Sequence, residues 1–286
     1  MRDPQQSFDQ QFESPVAGPI GIFDSGVGGT SVLRHLHVEL AGADLLYLAD
    51  QARCPYGARS AADLRALSAA NTRWLLARGA ALIVVACNTA SAAALHWLRQ
   101  SFPGTPFVGM VPAVKPAVEQ TRTGVVGVLA TPATIEGELL DEVVTRWAGA
   151  ARVLRQACPG LVDQIEAGAL DTPTTTRLLQ RYLRPLLAAG ADTIVLGCTH
   201  YPFLESQIRK IAGPGVTIVD AAPAVARQAV RVLHERGLGY ALAFRTGQIT
   251  YATTGEPLSF ATLLRQLGLP DGTVLSADTS PGGSRQ

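Results

Sequence analysis

Two cysteines, Cys87 and Cys198, stand where a thiol can do acid–base work. Each ends an unbroken apolar run, Leu82–Ala86 and Thr193–Gly197, and each leads into polar side chains: Asn88 and Thr89 after the first, Thr199 and His200 after the second. Such a run, buried on both faces, is a parallel strand, and the residues after it open a helix. Backbone N–H groups and the helix dipole at that point favour a thiolate, pulling a cysteine below its usual value of about 8.5. A lone buried cysteine is ordinarily a small hydrophobe. Two at matching strand ends point to chemistry instead. Inverting a stereocentre through a carbanion needs a base on one face of the carbon and an acid on the other. Two thiols facing one cleft supply both. Removing an amino acid's α-proton also requires that the carboxylate be held, the C–H bond oriented and water excluded. Neutral donors on Ser25, Asn88, Thr89 and Thr199 suit the carboxylate and amine, while Asp24 and His200 are placed to tune the thiols.

Other chemistry fits less well. Asp24-Ser-Gly-Val-Gly-Gly29 resembles a nucleotide-binding turn, but it lacks the Gly-Lys-Ser/Thr ending and does not fit GxGxxG. Its glycines serve close approach of the backbone to a small ligand, followed by a helix start. Only two lysines, Lys115 and Lys210, are present, and neither lies in a turn able to hold a phosphate, which argues against pyridoxal phosphate. The four cysteines form no CxxC pair and none has a His partner at zinc-site spacing, so no metal site is expected. A thiol redox pair is disfavoured by the 111-residue separation of Cys87 and Cys198. Cys54 and Cys158, each before a proline, read as structural. Tyr56, in a Pro-Tyr-Gly57 turn, reads as a loop residue facing the cleft.

The elements that must position these residues alternate along the chain as an α/β protein does. Expected strands are 20–23, 45–48, 82–86, 107–109, 125–129, 193–197 and 216–219. Expected helices are 30–40, 61–78, 91–100, 134–147, 174–188, 205–211 and 223–236. Ile20-Gly-Ile-Phe-Asp-Ser resembles Val126-Gly-Val-Leu-Ala-Thr at an offset of 106, and Leu82-Ile-Val-Val-Ala-Cys-Asn-Thr resembles Thr193-Ile-Val-Leu-Gly-Cys-Thr-His at 111. Near-equal offsets imply a duplicated α/β unit. Ligands in open α/β sheets bind beyond the carboxyl ends of the strands, where all four polar clusters lie.

Composition narrows the class. The 286 residues are 47% hydrophobic and 16% charged, with a net charge of +1. Such a balance describes a globular protein and advertises neither nucleic acid nor a membrane surface as partner. No stretch approaches the roughly 20 apolar residues of a membrane span, and the polar, Gln- and Pro-rich start is unlike a signal peptide. The cytoplasm is therefore expected, with disordered tails at 1–18 and 276–286.

Ile22-Phe-Asp-Ser-Gly-Val-Gly-Gly29, Arg53-Cys-Pro-Tyr-Gly57, Ala86-Cys-Asn-Thr-Ala90 and Leu196-Gly-Cys-Thr-His-Tyr-Pro202 together resemble the glutamate racemase family, in order and approximate spacing, over roughly residues 19 to 256. The resemblance implies a cofactor-independent, two-base enzyme making D-glutamate for peptidoglycan. By similarity, Cys87 acts on D-glutamate with Asp24 in support, and Cys198 on L-glutamate with His200 in support. Substrate contacts would fall on Asp24, Ser25, Tyr56, Gly57, Asn88, Thr89, Thr199 and His200. Asp50 and Glu166 match further acidic positions near the family's site. The implied fold is two similar parallel-sheet α/β domains related by a pseudo-two-fold, with the site between them. The first would comprise 19–111 and 221–275, the second 112–220. A homodimer is the expected assembly. An aspartate or hydantoin racemase is the nearest alternative. A non-catalytic binding role, with gyrase as partner, has no support in the sequence.

Overall fold

The computed structural model describes residues 18–237 and 246–280. The expected disorder of 1–17 and 281–286 lies outside them. The apolar runs form strands because their side chains are buried on both faces, and every strand pairing is parallel. The first four are β1 (Ile20–Asp24), β2 (Leu45–Ala49), β3 (Leu82–Val85) and β4 (Phe107–Gly109). Next come β5 (Val125–Ala130), β6 (Arg152–Ala157), β7 (Thr193–Gly197) and β8 (Thr217–Asp220). The last two are β9 (Ile249–Thr253) and β10 (Thr273–Ser276). They make two sheets, in the orders β10-β9-β2-β1-β3-β4 and β6-β5-β7-β8.

The order β2-β1-β3-β4 repeats as β6-β5-β7-β8, and the register repeats with it. Ile20 faces Leu82 in the first sheet, and Val126 faces Thr193 in the second. These are the residues that the internal sequence similarity aligns. In both sheets the connections leave the central pair in opposite directions, so a crevice opens at the carboxyl ends of β1 and β3, and of β5 and β7.

Alternate residues of β1 serve two cores. Ile20 and Ile22 pack into one apolar cluster, Phe23 into another. The first cluster runs without a break into the second sheet through Leu129, Ile194 and Leu196. On the larger sheet, α1 (Thr30–Glu39) packs with α10 (Ala222–Glu235), and α2 (Ala61–Leu76) packs with α3 (Asn88–Ser101). The smaller sheet carries α4 (Val114–Gln120), α6 (Glu138–Trp147) and α8 (Pro173–Ala188). Short helices α5 (Pro132–Ile135), α7 (Leu161–Glu166) and α9 (Glu205–Ala212), with α11 (Pro257–Gln266), complete the set among the described residues.

Several elements escape the apolar pattern. The β6 strand is an edge strand whose Arg152 and Arg155 face outward, so its hydrophobic run is interrupted. The expected helix over 134–147 is two helices, parted at Gly137, whose backbone is extended. The expected tail from 276 is in place through Ser280: the Ala277 N–H donates to the Thr253 carbonyl at 2.7 Å, and Thr279 accepts from Arg53. Among the described residues no helix is long and apolar enough to cross a membrane.

Candidate active site

The strand ends of the two sheets meet face to face. Asp24, the last residue of β1, is fully buried, and its Oδ2 accepts the Thr199 hydroxyl from the opposite sheet at 2.8 Å. Its Oδ1 accepts the Ser25 hydroxyl at 3.0 Å. Burial pushes the Asp24 carboxyl up, against the pull of His200 and Thr199.

Cys87 follows β3 and caps α3, its Sγ accepting the Ala90 N–H at 3.5 Å. That bond favours a thiolate, as the sequence leads one to expect. Burial and the neighbouring Asp24 carboxylate nevertheless outweigh it and hold the Cys87 thiol well above its ordinary range. The expected lowering is overturned here because a helix end supplies a partial charge, whereas complete burial removes the thiolate's whole hydration. Cys198 follows β7, but a turn and the 3₁₀ segment Tyr201–Leu204 intervene before α9. Its sulfur stands 3.8 Å from His200 Nδ1.

His200 and Glu166 form one unit. His200 Nε2 lies 2.6 Å from Glu166 Oε1, and the Glu166 carboxylate also accepts the Val27 N–H at 2.6 Å and the Gln51 amide at 2.9 Å. Burial alone would pull the imidazole down and the carboxyl up. Hydrogen bonds to Cys198, Cys54 and Glu166 raise His200 well above its ordinary value, and its partners lower Glu166. Both shifts favour the charged forms, an imidazolium beside a carboxylate. The pair also explains the glycine-rich turn: a Cβ at Gly26 would collide with Glu166 Oε1, and one at Gly28 with His200 Nδ1. These glycines make room for side chains of this chain rather than for a phosphate.

Ser25, Tyr56, Gly57, Cys87, Asn88, Thr89, Cys198, Thr199 and His200 all line one small cavity. Its volume, about 10 Å3, is that of a single water-sized sphere, far less than an amino acid fills. Asn88 is 3% exposed, and neither its amide nitrogen nor its amide oxygen has a hydrogen-bond partner. Buried amides are normally paired, so this one is poised for a polar ligand. Thr89 bonds to Thr131 at 2.8 Å and to Thr134 at 3.2 Å across the crevice.

The two auxiliary acids separate. Glu166 is in the site as described. Asp50 does not line the cavity: it accepts the Tyr56 hydroxyl at 2.6 Å, Arg53 at 2.7 Å and the Thr254 hydroxyl at 2.8 Å, and so fixes the Tyr56 ring from behind.

Three residues at the site go beyond those singled out in the sequence. Thr131 lines the cavity and is the counterpart of Ser25 in the internal repeat, a signal that the alignment of Asp-Ser with Ala-Thr already carries. Gln51 holds Glu166, and nothing in its sequence neighbourhood marks it. Cys54, read as structural, brings its sulfur within 4.8 Å of ligand atoms of both Glu166 and His200.

Residues 20–229 match the Asp/Glu/Hydantoin racemase family. The chain belongs to that family. Its similarity within the racemases is high: it is 62% identical to a glutamate racemase of Roseiflexus sp. over 89% of this chain and 93% of that protein. It is 49% identical to a glutamate racemase of Deinococcus radiodurans over 92% and 91% respectively. Among solved racemases, that of Bacillus anthracis superposes with a TM-score of 0.82 at 33% identity, covering 91% of this chain and 97% of the other. An Escherichia coli glutamate racemase, solved with L-glutamate and the activator UDP-MurNAc-ala, gives 0.79 at 31% identity over 91% and 97%.

Proposed function

We propose that this chain is a glutamate racemase that interconverts L- and D-glutamate without a cofactor, supplying D-glutamate for peptidoglycan. The observation that carries the reading is the convergence of Cys87 and Cys198, from equivalent strand ends of two sheets that share one four-strand order, on one buried cavity. One sulfur, as thiolate, takes the α-proton from one face of the substrate. The other, as thiol, gives a proton to the opposite face of the carbanion. The two thiols then stand in exchanged protonation states, and the reverse reaction restores them.

Cys87 rests as a thiol, held there by burial and Asp24. A thiol is the donor form; in the L-to-D direction Cys87 gives the proton and Cys198 is the base, with the His200–Glu166 pair at its back. The unpaired amide of Asn88, together with Ser25, Thr89 and Thr199, would bind the carboxylate and amine. Tyr56 and Gly57 wall the cavity, and Asp50 positions Tyr56. Since the cavity is far smaller than glutamate, binding has to part the two sheets and release has to part them again.

The domain division that suits this motion is 19–111 with 221–275 against 112–220, a reading supported by the sheets' use of the chain. A cytoplasmic homodimer is the accompanying expectation.

Racemisation in deuterated water, followed by loss of the Cα proton signal from each enantiomer, tests the reading. Both glutamate enantiomers should exchange. Exchange of aspartate or a 5-substituted hydantoin in place of glutamate would overturn the substrate. Cys87→Ser and Cys198→Ser should each abolish racemisation while sparing elimination from an analogue with a β-leaving group, which needs one base. Full racemase activity in either variant would end the two-thiol mechanism.

A further inference from the structure

The racemase reading leaves two thiols, Cys54 and Cys158, without work. Cys54 sits at the turn after β2, partly buried, with one side against the apolar core. Its sulfur, a Glu166 oxygen and a His200 ring nitrogen lie within 4.8 Å of one another. A thiol, an imidazole and a carboxylate are the donor types that bind zinc, with Zn–S about 2.3 Å and Zn–N and Zn–O about 2.0–2.2 Å. Donors at those lengths around one ion stand roughly 3–4 Å apart, so small side-chain adjustments suffice.

A second feature points the same way. Behind the reaction cavity lies a separate, open one of about 300 Å3, and Cys54 and Glu166 form part of its wall. Asp163 and Glu256 line it as well, and no lysine, arginine or histidine does. Three carboxylates around one opening repel a dicarboxylic amino acid and attract a cation. This cavity is unsuited to admitting glutamate and well suited to admitting a metal ion.

We infer that Cys54, His200 and Glu166 form an inhibitory site for a thiophilic divalent cation such as Zn2+, reached through the acidic cavity. The cation takes the place of the Cys54 thiol proton and of the proton that His200 and Glu166 share. The fourth position, facing the cavity, is left for water. Ligation through His200 Nε2 leaves Nδ1 facing Cys198 but exchanges the proton shared with Glu166 for the metal, which stops proton transfer there. The metal here is a regulator of the site and takes no part in the reaction.

Cobalt(II) added to the chelator-treated full-length chain reports the ligands directly. A sulfur-to-cobalt charge-transfer band should appear at one equivalent. It should vanish in Cys54→Ser and persist in Cys87→Ser and Cys198→Ser. Zinc affinity, measured by competition with a chromophoric chelator, should fall at least tenfold in Cys54→Ser and in Glu166→Gln. One equivalent of zinc should also protect Cys54 of the unaltered chain from alkylation, mapped by mass spectrometry, a readout that does not depend on any variant folding. Zinc should inhibit racemisation reversibly, with EDTA restoring it. A band that survives Cys54→Ser, or is lost in Cys198→Ser instead, would put the metal on the reaction thiols and overturn the site. So would the absence of cobalt binding or of Cys54 protection. The binding readouts stand whether or not glutamate is the substrate.

Discussion

At the scale of single residues, the site is decided by contacts too close for any other side chain. Gly28 is the sharpest case. Its Cα lies against the His200 ring, and Glu166 grips the far side of that ring at 2.6 Å. An added methyl cannot push the imidazole away without driving it into Glu166. Gly28→Ala should therefore destabilise the chain by about 1–3 kcal/mol, the range for overpacking. It should also reduce racemisation by roughly 100-fold through misplacement of His200. Thermal melting and steady-state rates check both, and a variant with unchanged kcat would show that His200 needs no fixed position. The same contacts explain why motif spacing alone misjudged Cys87. The helix end is present, and the capping bond with it, but sequence does not display how completely the sulfur loses water.

Among elements, the short helix α5 contributes more than its length suggests. Thr131 caps it, accepting the Thr134 N–H at 3.3 Å, and joins it to α3 through Thr89. Thr131→Ala removes the cap and the cross-crevice bond together. The expected loss is about 1–2 kcal/mol from the cap, and KM for glutamate should rise because Thr89 keeps only its longer bond to Thr134. Chemical unfolding and KM measurements test this; a stability loss with KM unchanged would leave Thr131 a cap alone. Most of the strands expected from the apolar runs are buried on both faces, the edge strand β8 being half-exposed. The ones that pattern reading missed are β6 and β10, edges with partly exposed side chains where charge and alternation break the apolar run, and β9, an interior strand whose threonines break it. Helix α11 was legible in principle: Glu256 accepts the Leu258 and Ser259 N–H groups at its start, and Pro257 follows.

Across the whole molecule, the two sheets are clasped by polar links between their facing ends: Thr199 to Asp24, Glu166 to Val27, Thr89 to Thr131, and Gln266 to the Gly168 carbonyl. The charged link gives stability a pH signature. Glu166 is lowered from 4.5, so its contribution is complete above that value and fades as acid protonates it at its folded value. His200 is raised from 6.5, so its contribution is complete below that value and fades as alkali deprotonates it at its folded value. The stability difference between the unaltered chain and Glu166→Gln should thus peak between 4.5 and 6.5 and shrink on both sides. Urea unfolding across pH measures it, and a difference independent of pH would mean that the pair is uncharged.

What the amino-acid order determines by itself is the repeated α/β pattern and the two thiols at equivalent strand ends. Both follow from local rules: unbroken apolar runs make buried parallel strands, and polar residues collect at their carboxyl ends. Family motifs are likewise carried by contiguous residues. What only the tertiary structure decided is the partnership across the crevice. Glu166 with His200, Thr131 with Thr89, and Cys54 beside both acid and imidazole lie 34, 42 and more than 100 residues apart. Their charges and protonation are set by burial between two sheets, a quantity that exists only once the chain has closed on itself.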